Sequence, residues 1–173
     1  MAILAPVLAL TASCQSKHGP ILPPSAETAE TPGSPGVSLI QMNDPKAGAQ
    51  LVRGFYGIES NSWRWTAGKF AARFHVPPTG ASAGATVTLN FVLPESAIQQ
   101  LGHLTLTAAV NGTELQSSTY DHAGTFSFTG EIPPTLLNAE SVTVDFSLDK
   151  TFHAGGDTRE LGVVANSVGL AGK

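Results

Sequence analysis

Thr86-Val87-Thr88-Leu89-Asn90-Phe91-Val92-Leu93 alternates apolar and polar residues until Pro94 ends the run. Side chains repeating every second residue share a face only in an extended strand. Val87, Leu89, Phe91 and Leu93 therefore line one side, and Thr86, Thr88 and Asn90 the other. The same period recurs upstream and downstream. Phe70, Ala72, Phe74 and Val76 alternate within residues 69–76, and Pro77-Pro78 stops them. Leu104, Leu106, Ala108 and Val110 alternate with Thr105, Thr107 and Ala109. Asn111-Gly112 follows, a pair that tolerates the positive φ of a tight hairpin turn, and residues 114–120 return as its partner. Phe126 and Phe128 mark another strand, and Val142, Val144, Phe146 and Leu148 one more. Residues 161–170 read as a nearly continuous apolar closing strand. One short helix is expected over residues 95–101, between Pro94 and Gly102.

Roughly seven or eight strands with frequent turn signals, and no long helical crossover, predict an all-β domain. The expected architecture is an antiparallel two-sheet β-sandwich, jelly-roll-like, with a core about 10 Å thick. Phe70, Phe74, Leu89, Phe91, Leu106, Val144 and Phe146 are the expected core.

Outside this unit the composition changes. Six of the 12 prolines fall between Pro20 and Pro45. The expected organisation is a targeting segment over residues 1–13, a Pro-rich flexible tether over 14–46 and the sandwich over 47–173. The stretch Val37–Met42 reads either as the end of the tether or as a first edge strand. A Pro/Ser/Ala-rich stretch without hydrophobic periodicity favours an extended, solvated chain.

Nine Lys and Arg in 173 residues, with a net charge of −4, leave no basic surface for nucleic acid or anionic lipid. Cys14 is the only cysteine, which excludes a disulfide framework and a thiolate metal cluster. It follows an apolar run, Ala2–Leu10, that is too short to span a bilayer but suits the core of a secretory signal. Leu10-Thr11-Ala12-Ser13-Cys14 resembles the lipobox of bacterial lipoproteins. That resemblance implies export, lipidation of Cys14 and attachment to a membrane of the cell envelope.

Two segments stand out as candidate sites. Gly54-Phe55-Tyr56-Gly57-Ile58-Glu59 is followed by Trp63-Arg64-Trp65-Thr66, which gathers both tryptophans. On a strand Trp63 and Trp65 share a face and Arg64 points oppositely. The indoles either plug one end of the sandwich, with Arg64 paired to a carboxylate, or form a stacking surface for sugar rings. The second segment is Gly155-Gly156-Asp157-Thr158-Arg159-Glu160-Leu161-Gly162. Here Asp157 suits a turn cap, and Arg159 is placed to reach a carboxylate such as Glu59. Asp157 and Glu160 with carbonyl oxygens would also suit Ca²⁺, but the loop lacks the regular oxygen spacing of a calcium site.

Together the two segments resemble a small β-sandwich module of bacterial cell-surface and glycan-associated proteins. That module is similar to the galactose-binding-like jelly rolls, and the resemblance spans about residues 50–170. It implies a ligand site at one end of the sandwich or on a concave face. Trp63, Arg64 and Trp65 are the matching positions, with Asp157 and Arg159 beside them. Tyr56 and Glu59 complete the candidate ligand-binding set.

The five histidines are dispersed, and no Gly-x-Ser-x-Gly elbow or phosphate-binding glycine loop is present. The expected function is non-catalytic recognition of a glycan by a lipid-anchored envelope protein, without cofactor or metal. The rival readings are an assembly protein that docks another envelope protein through an edge strand, and a small hydrolase using acids such as Glu59 and Asp157.

Overall fold

The computed structural model describes residues 37–173; Cys14, the targeting segment and most of the expected tether lie outside them. Among the described residues the fold is antiparallel β with nine strands. One layer runs β2 (Leu51–Glu59), β3 (Trp63–His75), β8 (Ser141–Leu148), β5 (Leu104–Val110) and β6 (Thr113–Tyr120). The other runs β1 (Val37–Gln41), β9 (Val164–Gly172), β4 (Ala85–Leu93) and β7 (Gly124–Ile132).

The layers share a strand. Lys69–His75 of β3 pair with β8, whereas Arg64 and Trp65 of the same strand pair with Ala165 and Val164 of β9. The hydrogen-bonded sheet is therefore continuous along this side. Each layer contributes its apolar face to one core, and all seven expected core residues are buried in it. Phe70 and Phe146 are cross-strand partners with stacked rings 5.0 Å apart, and Phe128 meets Phe146 edge-on from the opposite layer at 6.4 Å.

Several local expectations hold. Asn111 and Gly112 take φ of 51° and 78° between the paired residues Val110 and Thr113, the backbone of a type I′ turn. The helix α2 occupies Glu95–Leu101, and a further short helix, α1, occupies Gly80–Ala83.

Others are corrected. The strand β1 lies within the expected tether, so a boundary at residue 47 would remove it. Ile40 and Met42 are buried core residues, but β1 is only five residues long and too short to show a clear period. The closing strand is Val164–Gly172 rather than 161–170, and Leu161 instead forms an isolated bridge with Phe152. The strand β2 shows no clean alternation because its register against β3 shifts three times, between Leu51 and Ile58.

Candidate functional site

The tip of the β2–β3 hairpin and the loop between β8 and β9 meet at one end of the sandwich. Ser60 and Asn61 adopt positive φ, and the Ser62 N–H donates to the Glu59 carbonyl at 3.0 Å. That turn sets Glu59 opposite Trp63 and Ile58 opposite Arg64.

Arg159 is the centre of the resulting cluster. Its Nη1 lies 2.8 Å from Glu59 Oε1, and its Nη2 donates to Asp157 Oδ2 at 2.7 Å. Its backbone N–H also donates to Asp157 Oδ1, so Asp157 caps the turn it sits in. The guanidinium lies 4.9 Å from the Tyr56 ring centroid, and the Tyr56 hydroxyl donates to the Glu160 carbonyl at 2.9 Å. Gln100 Nε2 donates to the His153 carbonyl, and His153 Nδ1 lies 3.0 Å from the Arg159 carbonyl. The reach from Arg159 to Glu59 is the one expected from the sequence. Asp157 is committed to Arg159, and among the described residues no three His, Cys, Asp or Glu side chains converge on a metal position.

The side-chain hydrogen bond from Arg159, reinforced by its backbone N–H, lowers the Asp157 carboxyl from 3.8 to about 2. The same partners, Asp157 and then Glu59, raise the Arg159 guanidinium above its ordinary value. A depressed folded-state carboxyl adds stability above the unfolded value and loses it as pH falls toward the folded one. Asp157→Asn should therefore flatten the acid limb of a melting-temperature profile between 3.8 and about 2. Melts recorded across that range check this; an unchanged slope would count against the linkage.

Arg64 behaves differently from its expectation. Instead of a carboxylate it meets backbone carbonyls. Nε donates to Met42 at 3.0 Å, Nη1 to Tyr56 at 3.0 Å and Nη2 to Asp44 at 3.5 Å. A guanidinium has several donors in a fixed fork, which suits it to clasping the chain that leaves β1 against β2. Trp63 and Trp65 share a face, as strand spacing requires. Their rings are nearly perpendicular, 88° apart at 5.8 Å, so they do not make one flat platform. Trp65 also packs edge-on against Phe152 at 5.7 Å and joins the core, while Trp63 is half-buried at the end of the strand.

Beside this cluster a cleft of ≈ 420 Å³ opens where β3 leaves β8. Lys69, Asp149, Lys150, Thr151 and Glu160 line it. Ala67 and Lys69 on its wall are in strand phase with Trp63 and Trp65. A Cβ on Gly68 would lie 2.7 Å from Thr151 Cγ2, so this glycine admits the 149–151 segment. Lys150 Nζ donates to the carbonyls of Leu101 and His103, at 3.3 and 3.1 Å, and lies 3.0 Å from His103 Nε2. Asp149 Oδ1 accepts from the Thr105 N–H at 2.7 Å. Sequence reasoning did not find this cleft. Its nearest signals were the outward phase of Lys69 and the Asp149-Lys150 pair directly after a strand.

No family model and no curated protein matches this chain. Among solved structures it is similar to the CBM36-1 domain of a multidomain xylanase from the hindgut metagenome of Trinervitermes trinervoides. That match has 8% identity and a TM-score of 0.44, covering 79% of this chain and 98% of the other. It is also similar to dimeric latent PorU from Porphyromonas gingivalis, at 13% identity and a TM-score of 0.47, over 79% of this chain and 12% of PorU. A third structure, "CBM4 structure and function", matches at 17% identity and a TM-score of 0.30, over 81% of this chain and 86% of that one. Overlaps this loose do not carry a ligand or a site from one protein to another.

Proposed function

We propose that the domain is a non-catalytic recognition module that binds glycan in the cleft beside β3, and that a lipid on Cys14 holds it at the cell envelope. The observation that carries the binding reading is the row on β3. Trp63 and Trp65 run in phase into Ala67 and Lys69, which wall a cleft lined further by Asp149, Lys150, Thr151 and Glu160. A sugar ring presents hydroxyls that both donate and accept, together with an apolar C–H face. Lys69, Thr151 and Glu160 meet the hydroxyls, and the half-buried Trp63 indole meets the C–H face. Tyr56, Glu59, Asp157 and Arg159 act by holding the 149–163 segment against the hairpin, which gives the cleft its wall. The Arg64 clasp keeps that hairpin in place. Export and anchoring rest on the sequence preceding the described residues, and labelling of Cys14 with a fatty-acid analogue in the native cell tests them.

Titrating intrinsic tryptophan fluorescence with soluble cell-wall and exopolysaccharide fragments tests the binding reading. A saturable change is expected. Trp63→Ala should weaken binding about tenfold, which is ~1.4 kcal/mol, the scale of an aromatic contact. Trp65→Ala should act on the fold instead, costing about 3 kcal/mol because its ring packs on Phe152. A flat response across the panel, with the protein folded, would sink the glycan reading.

A further inference from the structure

The strand β6 lies at one end of the strand order. Its inner side pairs with β5, and among the described residues no strand pairs with its other side. The backbone direction along it can be read from side chains. Thr105 Oγ1 and Thr119 Oγ1 are 3.0 Å apart, and Thr107 Oγ1 and Ser117 Oγ 2.9 Å. Directly opposed side chains approach this closely in the non-hydrogen-bonded pairs of an antiparallel ladder. The N–H and C=O groups of Ser117 and Thr119 therefore point away from β5. The Gln116 side-chain amide donates to the Ser117 carbonyl at 3.1 Å, as an open edge allows.

Natural edge strands are blunted by lysine, proline, short length, inward charge or a β-bulge. The strand β6 spans eight residues; its bulge at Leu115, where Glu114 and Gln116 face the adjacent Ala109 and Ala108, lies near its start, and Gln116–Tyr120 beyond it contains no charge and no proline. The terminal strand of the other layer, β7, is also free of Lys, Arg and Pro, and its single charge, Glu131, is paired with Lys173. The two edges lie on the same side of the sandwich, where Tyr120 and Phe126 meet at 4.6 Å.

We infer that this double edge pairs with the same edge of a second copy of the chain, across a two-fold axis at Ser117. A single extended peptide can satisfy one free edge. A partner that extends both layers must itself bring two stacked edge strands, and a second copy has them. The charges agree with this register. Antiparallel pairing about Ser117 sets Gln116 opposite the partner's Ser118, within the run after the bulge that carries no charge to repel its copy. The two Ser117 residues then exchange both backbone hydrogen bonds.

Sedimentation equilibrium of the full chain tests this. The wild type should sediment as a dimer that dissociates on dilution. Ser117→Pro removes an N–H that β5 does not use, and Ser117→Lys sets two ammonium groups face to face; both should give monomers with an unchanged far-UV spectrum. Leu39→Lys, on the edge strand β1, should leave the dimer intact. A wild type that stays monomeric at high concentration overturns the inference. So does a dimer that survives Ser117→Lys with the fold retained, or one that is lost with Leu39→Lys instead.

Discussion

Phe91→Ala should lower the stability of the domain by about 3–5 kcal/mol, the cost of removing a fully buried aromatic ring. Phe91 stands in β4, the strand flanked by β9 and β7, and is completely buried. Its ring meets Tyr120 edge-on at 5.2 Å and Phe126 at 5.6 Å, so it joins β4 to both β6 and β7. That three-ring contact holds the layers together on the side where, among the described residues, no strand pairing joins them. Removing the ring leaves a cavity that neither neighbour can fill without leaving the other. Against a total of about 5–15 kcal/mol, the loss should move the thermal midpoint by about 10–20 °C. Chemical and thermal denaturation followed by far-UV circular dichroism measure it. A shift of only a few degrees would mean that β6 and β7 collapse onto β4 without the ring.

Gly54→Ala should be comparably damaging for a different reason. Gly54 has φ of 73°, which side-chain-bearing residues adopt only with strain. It also lies tight against β3. An added Cβ would overlap the Lys69 carbonyl oxygen and come within 2.7 Å of the Phe70 Cα. Those are backbone atoms of the strand that both layers share, so no rotamer change relieves the overlap. Strain at a left-handed position and overpacking each cost about 1–3 kcal/mol, and here they add to about 3–5 kcal/mol. Low soluble yield and a strongly lowered melting point are the expected results. An alanine variant that melts like the wild type would show that β2 slides freely along β3.

Much of the sandwich was legible because period-two alternation is a direct imprint of a strand with one wet face. The runs around Phe91, Leu106 and Phe146 carry it over seven or more residues, and each became a strand. The strand β2 was not legible, since three register shifts and Gly54 scramble its phase. The strand β1 was ambiguous because Leu39, exposed on it, is as apolar as the buried Ile40 beside it. At the candidate site, the Arg159–Glu59 pair could be anticipated from charge alone. The Arg64 contacts could not, because main-chain carbonyls leave no mark in composition. The common face of the tryptophans followed from spacing, but the angle between their rings depends on Phe152, far away in the chain. The cleft exists only because β3 changes partners from β8 to β9, and a long-range exchange of partners has no local signature.

That exchange also makes the sandwich asymmetric in how it can open. Where β3 passes to β9 the layers are joined by a short backbone ladder at Arg64 and Trp65, like the spine of a book. Along β6 and β7, among the described residues, they are closed by side chains and not by strand pairing. Fluctuations that part the layers should begin at this fore-edge and die away toward the spine. In the dissociated monomer, backbone amides in β3 and β9 should therefore exchange with solvent last, and those in β6 first.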